Sequence, residues 1–389
     1  MHIGHRSVLT VGAALALITA ACGSSTASNA PSASAAASAP ASAAASAAAS
    51  AAPSTDMSGL PYTAKLKDGS TFKLADSIVA KLQAKTPINY VFDYGSTSIP
   101  LFSPQYLNGY NKTLPQAQAI LPMNGQAVAP SSAVQDPNEQ ISQIQALVNA
   151  GQVDCLSIQS TGLDTFTKIT NDIMAKGIPV FTVGVQSNGN EFTNYTQISN
   201  KEGHQAAQIV IDWMKATGKS LTTFAVSGGD PTQNWAQGRM QGFIDGITAG
   251  VPGAKFLNSA SAALTTTYDP AGTYDAYKAF IQGNPDVQFI ENVDIGAEHA
   301  DRAIKDASLT GKVVTIGWNV SIGQLDAVKE GTQVAALDQQ WGAQAGFGAL
   351  ACANFLGKGV ILPNDQVLLP ILQANEAQAR ADFLKLTGG

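Results

Sequence analysis

Apolar positions spaced three and four apart recur along most of the chain, alternating with short apolar runs bounded by glycine or proline. The clearest case is residues 135–151, where Ile141, Ile144, Leu147 and Val148 form one face of an amphipathic helix that Gly151 ends. A buried strand follows at 155–158, then a helix marked by Phe166, Ile169, Ile173 and Met174 and closed by Gly177. The run 179–183 predicts a further strand; 88–92 reads as an earlier one and 126–129 as a weaker one. The same rhythm predicts helices over 202–217, 237–249, 274–282, 297–307 and 322–330, with strands at 223–226, 256–257, 287–290, 313–316 and 334–337. Such alternation implies an α/β fold with parallel sheets built from right-handed crossovers. A body of roughly 330 residues exceeds one comfortable core, so two Rossmann-like lobes are expected.

The start of the chain breaks this pattern. Residues 1–21 hold a short basic start (His2, His5, Arg6) and an apolar run over 8–18, too short for a membrane span and suited to a signal peptide. The run ends in Thr19, Ala20 and Ala21 before Cys22, which resembles the lipobox of bacterial lipoproteins, with Thr19 where leucine is usual. The resemblance implies lipidation of Cys22 and a lipid anchor on the outer face of the cytoplasmic membrane. Residues 23–55 are almost entirely Ala, Ser and Pro. They have no apolar stripe to pack, so 22–58 reads as the acylated cysteine and a flexible tether.

Charge narrows the function. The 389 residues carry 22 Lys and Arg against 28 Asp and Glu, a net charge of −6, with 13% of the chain charged. Without residues 1–55 the body is still only about 15% charged, against roughly a quarter in ordinary soluble domains. The acidic balance argues against nucleic acid as a partner. Arginine occurs only at positions 6, 239, 302 and 380, so a site built from several guanidinium forks has little to draw on. Four His and three Cys, scattered, form no metal pattern, and no cofactor fingerprint survives inspection. The glycines at 346 and 348 lie inside an apolar helix with no strand just before them. No Gly-x-Ser-x-Gly elbow or Walker loop is present, and His204 and His299 read as surface or packing residues. Cys155 and Cys352 each lie in an apolar stretch and are expected as buried free thiols rather than a disulfide.

Ligands of open parallel sheets bind beyond the carboxyl ends of the strands. That rule selects the loops 93–104, 159–164, 184–189, 227–239, 291–296, 317–321 and 338–342. They contain Phe102, Asn234, Trp235, Asn292, Trp318, Asn319, Gln339, Gln340 and Trp341. Flat rings beside amides and carboxylates suit a sugar: rings cover its C–H faces, and polar side chains bond its hydroxyls.

In this order of elements, residues 88–372 resemble the type I periplasmic binding proteins, in particular the ribose-binding-like receptors of ABC sugar importers. The best stretches are QALVNAG at 145–151, AKGIPVF at 175–181, GRMQGF at 238–243, VTIGWN at 314–319 and DQQ at 338–340. The resemblance implies two lobes joined by a three-crossing hinge, near 199–200, 338–340 and 363–369. Lobe 1 would comprise 59–200 plus 340–364, and lobe 2 would comprise 201–339 plus 365–389. Carried across, the family's aromatic turn leaves Phe102, with Ser96, Thr97 or Ser98 replacing its missing polar partner. Its Asp-Arg pair falls on Gly184 and Val185, and a binding Arg becomes Gln237. Its Asn-Asp pair falls on either Asn292 or Asp294. Its aromatic-Asp pair becomes Trp318-Asn319, and its hinge Gln is Gln339 or Gln340. Phe102, Trp235 and Trp318 would stack on the ligand, and the polar residues would bond it. Charged contacts thus become neutral, which favours a small neutral sugar or polyol over an anionic ligand. The expected partner is an ABC permease, the expected state a monomer, and no enzymatic activity is implied. The alternatives are a ligand-presenting sensor module for a membrane receptor kinase and, from another class, an exported α/β hydrolase.

Overall fold

The structure, a computed structural model, describes residues 62–97, 99, 102–131 and 135–387. The expected signal peptide, Cys22, the tether and Ser98 lie outside the described residues. The described chain opens with an antiparallel pair, β1 (Thr63–Lys65) and β2 (Thr71–Lys73), and helix α1 (Asp76–Gln83). Then come β3 (Ile88–Asp93), α2 (Ser103–Gln118), β4 (Met123–Val128), α3 (Pro137–Asn149), β5 (Cys155–Ser160), α4 (Thr167–Ala175), β6 (Val180–Gly184) and β7 (Asn194–Thr196). Strands β3–β7 form a parallel sheet of order β4-β3-β5-β6-β7. Every residue of β5 is buried, as a central parallel strand covered on both faces requires. Asp136 caps α3 by accepting from the Asn138 amide at 2.8 Å, and Pro137 follows at the first helical position.

The second half contains α5 (Ser199–Thr217), β8 (Thr223–Gly228), α6 (Asn234–Gly250), β9 (Lys255–Phe256), β10 (Leu264–Thr265) and α7 (Pro270–Gly283). It continues with β11 (Phe289–Asn292), α8 (Ala297–Asp306), β12 (Val314–Trp318), α9 (Ile322–Glu330) and β13 (Gln333–Asp338). The chain then forms α10 (Trp341–Lys358), β14 (Leu369–Ile371) and α11 (Glu376–Thr387). The second sheet runs β10-β8-β11-β12-β13-β14, with β9 also on β8 and only β14 antiparallel. Helix α10 returns to the first core, where Cys352, Phe355 and Leu356 are buried, before β14 rejoins the second sheet. The chain therefore passes between the sheets three times: before α5, between β13 and α10, and between α10 and β14.

Each lobe contains one very close helix pair. A Cβ on Gly109 of α2 would stand 2.0 Å from the Gly342 carbonyl of α10. A Cβ on Gly203 of α5 would stand 2.0 Å from the Arg239 carbonyl of α6. Only glycine allows backbones this near. The pairing of Cys155 and Cys352 corrects the expectation of free thiols: they form a disulfide across a Cα–Cα distance of 6.1 Å. Apolar surroundings suit a half-cystine as well as a thiol, and sequence alone did not show that α10 lies against β5.

Candidate functional site

Strand order reverses between β3 and β5 in the first sheet and between β8 and β11 in the second. These are the switch points where loops diverge and leave a crevice. A narrow cavity of about 90 Å³ lies among the loops at these ends, lined by Gly162, Leu163, Val185 and Gln186 from one sheet. Ser199, Gln233, Asn234 and Trp235 line it from the other side. It is smaller than the roughly 300–1,000 Å³ of pockets for drug-sized ligands, so a sugar ring requires the loops to part. A larger basin of about 700 Å³ lies at the opposite, amino ends of β8, β9, β11 and β12, lined by Lys219, Lys255, Gln288 and Lys312 among others. It contains none of the residues selected above.

Beside the cleft, Arg239 of α6 is the hub. Its Nε donates to Glu202 Oε2 at 3.0 Å, its Nη1 to the Val293 carbonyl at 3.1 Å, and its Nη2 to Gln339 Oε1. The guanidinium lies 4.1 Å from the Trp318 ring centroid and 5.1 Å from that of Trp235. Gln339 Nε2 in turn donates to Asn319 Oδ1 at 2.6 Å, which also accepts from Trp341 Nε1 at 3.2 Å. This chain of bonds links α5, α6, the end of β12, the second crossing and the start of α10. Gln344 reinforces it, donating to the Gln339 carbonyl at 2.9 Å and accepting from the Gly184 amide at 2.8 Å. Gln366 donates to the same carbonyl from the third crossing at 3.0 Å.

The acids are the other half of the site. Burial pushes Asp294 up to about 6, opposed by the Ile295 amide and the Tyr268 hydroxyl. Burial also raises Glu291 well above its ordinary range, with Trp318 and Arg239 opposing. Glu202 is raised by burial against the pull of Arg239, and Asp338 by burial against the Gln340 amide. In the first sheet, burial lifts Asp93 to about 8 against the nearby Gln140 amide, and neither of its oxygens makes a hydrogen bond within 3.5 Å. Among the described residues, no group of three His, Cys, Asp or Glu is placed to hold a metal.

The selected residues separate by role. Asn319 and Gln339 belong to the Arg239 network, whereas Gln340 turns away to donate to the Val367 carbonyl. Trp318 is fully buried beneath Arg239, so it supports the guanidinium instead of offering an open face. Trp235 lies in the first turn of α6, not in a loop, and lines the cavity. Gln237 is helical too, and its amide donates to the carbonyls of Pro231 and Ala260. Asn292 is 1% exposed and holds the β11 turn: its Oδ1 accepts from the Asp294 amide at 2.9 Å, and its Nδ2 donates to the Tyr277 hydroxyl at 2.6 Å. Phe102 packs with Tyr106 and Trp341 at centroid distances of 5.9 and 5.8 Å. The sequence reading missed Tyr268, which is 54% exposed beside Asp294 and follows a strand of only two residues, too short to register as alternation. It also did not single out Arg239, although the scarcity of arginine marked it.

A model of the periplasmic binding protein domain matches residues 96–358. Among solved structures, an arabinose-binding protein, AraP from Geobacillus stearothermophilus, is 18% identical with a TM-score of 0.62, covering 75% of this chain and 99% of its own. A Caulobacter myo-inositol-binding protein is 19% identical with a TM-score of 0.57, covering 74% and 94%. The XylFII–LytSN complex contains a chain 16% identical with a TM-score of 0.60, covering 74% and 98%. No curated protein has a matching sequence. At these identities the structural likeness speaks for the fold, type I with parallel sheets.

Proposed function

Because the chain belongs to the periplasmic binding protein family, we propose that it is an extracytoplasmic substrate-binding lipoprotein, anchored through Cys22, that captures a small neutral sugar or polyol between its lobes and delivers it to an ABC permease. The observation that supports a non-acidic ligand is the fate of Arg239: the one guanidinium at the cleft is already paired with Glu202, their side chains 7% and 4% exposed. An anionic ligand would have to enter a site whose remaining charges are carboxylates, at a cost in repulsion and desolvation. Asp294, Asn319 and Gln339 are the proposed hydroxyl partners, with Trp235 and Tyr268 as flanking rings. Neighbours of this fold named for arabinose and for myo-inositol fit the same ligand class. A thermal-shift screen of the body against pentoses, hexoses, polyols and sugar acids tests the reading. A neutral hit at a hundred times its dissociation constant should add about 2.7 kcal/mol. Shifts from sugar acids alone would refute the neutral-ligand assignment.

A second reading, a sensor that presents its ligand to a membrane receptor, is favoured by the neighbour solved in the XylFII–LytSN complex. The two differ in partner, not in pocket. Capture of permease subunits by the ligand-loaded protein supports import, and capture of a receptor ectodomain supports sensing.

A further inference from the structure

Two carboxylates stand at the switch point of the second sheet. Asp230 stands two residues beyond β8, and Asp294 two residues beyond β11, the strand paired with β8. Hydrogen bonds from Thr232 and Gln233 hold Asp230 below the usual carboxylate range, so it stays an anion. Asp294 is 8% exposed; its Oδ1 accepts from the Ile295 amide at 2.8 Å, and its Oδ2 makes no hydrogen bond within 3.5 Å, although the Tyr268 hydroxyl is near enough to favour the charged form. The half-exposed Tyr268 flanks this carboxylate, feels both Asp294 and Asp230, and packs against Gly229. Arg239 is near but committed to Glu202, Gln339 and the Val293 carbonyl.

A neutral hydroxyl can satisfy one lone pair of Asp294. It brings no positive charge to the Asp294 and Asp230 carboxylates when the lobes exclude water, and a poorly compensated buried charge such as that of Asp294 is destabilising. An ammonium supplies both the donors and the missing positive charge, in the stronger class of hydrogen bonds. We propose that the cleft takes an amino-substituted sugar or polyol in preference to its neutral parent, the protonated amine bonding Asp294 Oδ2 and facing Asp230. The inference rests on the sugar- and polyol-binding reading above and changes it in one respect, from a neutral ligand to a cationic one.

Calorimetric titration with matched compounds tests it: glucose, glucosamine and N-acetylglucosamine; the galactose series; and myo-inositol with an amino-inositol. The expected result is that in at least one series the free amine binds about ten-fold more tightly than its parent, one charge-assisted bond's worth. The N-acetyl compound, which keeps the bulk and loses the charge, should gain nothing over the parent. Asp294→Asn should abolish the preference; Asp230→Asn, at a more exposed position, should reduce it and serves if the first variant does not fold. Parents that bind as well as their amines overturn this inference and leave the sugar-binding reading standing. A panel in which nothing binds overturns both.

Discussion

Arg239 and Glu202 form a buried pair that also fixes Gln339, so one scarce arginine sets the orientation of an amide at the second crossing. Replacing it with Arg239→Met leaves Glu202 buried without a counter-charge, which costs about 3–5 kcal/mol. Adding Glu202→Gln should recover much of that loss in chemical denaturation; no recovery would mean that the pair is not the reason for the instability. Asp93 is a different case, a buried acid with no charged partner. Its folded value of about 8 lies above its unfolded value near 4, so the folded state binds the extra proton between them. Its contribution is therefore fully present below about 4 and is lost as pH rises through about 8. Asp93→Asn keeps the shape without the ionisation, and its amide can donate to Gln140 Oε1, which also lacks a partner. Denaturation midpoints of the variant should vary less than wild type between about pH 5 and 8. Parallel curves would show that Asp93 does not titrate as described.

At the scale of elements, close approach and covalent linkage hold each lobe together. Gly203→Ala drives a methyl into the Arg239 carbonyl, a backbone atom that cannot swing aside, and should cost about 1–3 kcal/mol by thermal denaturation. The same substitution at exposed Gly283, where a Cβ meets nothing within 4 Å, should leave stability unchanged or raised. The disulfide ties β5 to α10 across a sequence separation of 197, and the double Cys155→Ser, Cys352→Ser variant should lose about 2–5 kcal/mol. The alternating rhythm made the core strands and helices legible: 322–330 agrees with α9, and 155–158 and 223–226 lie within β5 and β8. Helix α2 was not, because Pro115 interrupts it, its end turns carry no acidic or basic residue, and its buried residues include Gln105 and two tyrosines. Strands β7 and β10 have three and two residues, shorter than any periodic signal. Site residues were legible as loop positions, but not their partners: which side of Gln339 meets Arg239 depends on contacts a hundred residues apart in sequence.

At the scale of the whole molecule, the chain passes between its two sheets three times, and on the proposed reading these crossings let the loops around the cavity part and close. The bonds through Arg239, Gln339, Asn319 and Trp341 run across that hinge region, so ligand binding and closure should be coupled through them. Amide hydrogen exchange with and without the best ligand from the screen tests the central claim, binding between the lobes. The account predicts slower exchange together in loops of both lobes: residues 94–97, 161–164 and 185–188 on one side, and 229–235, 293–296 and 319–321 on the other. Protection confined to one lobe, or centred on the basin around Lys219, Lys255 and Lys312, would contradict it.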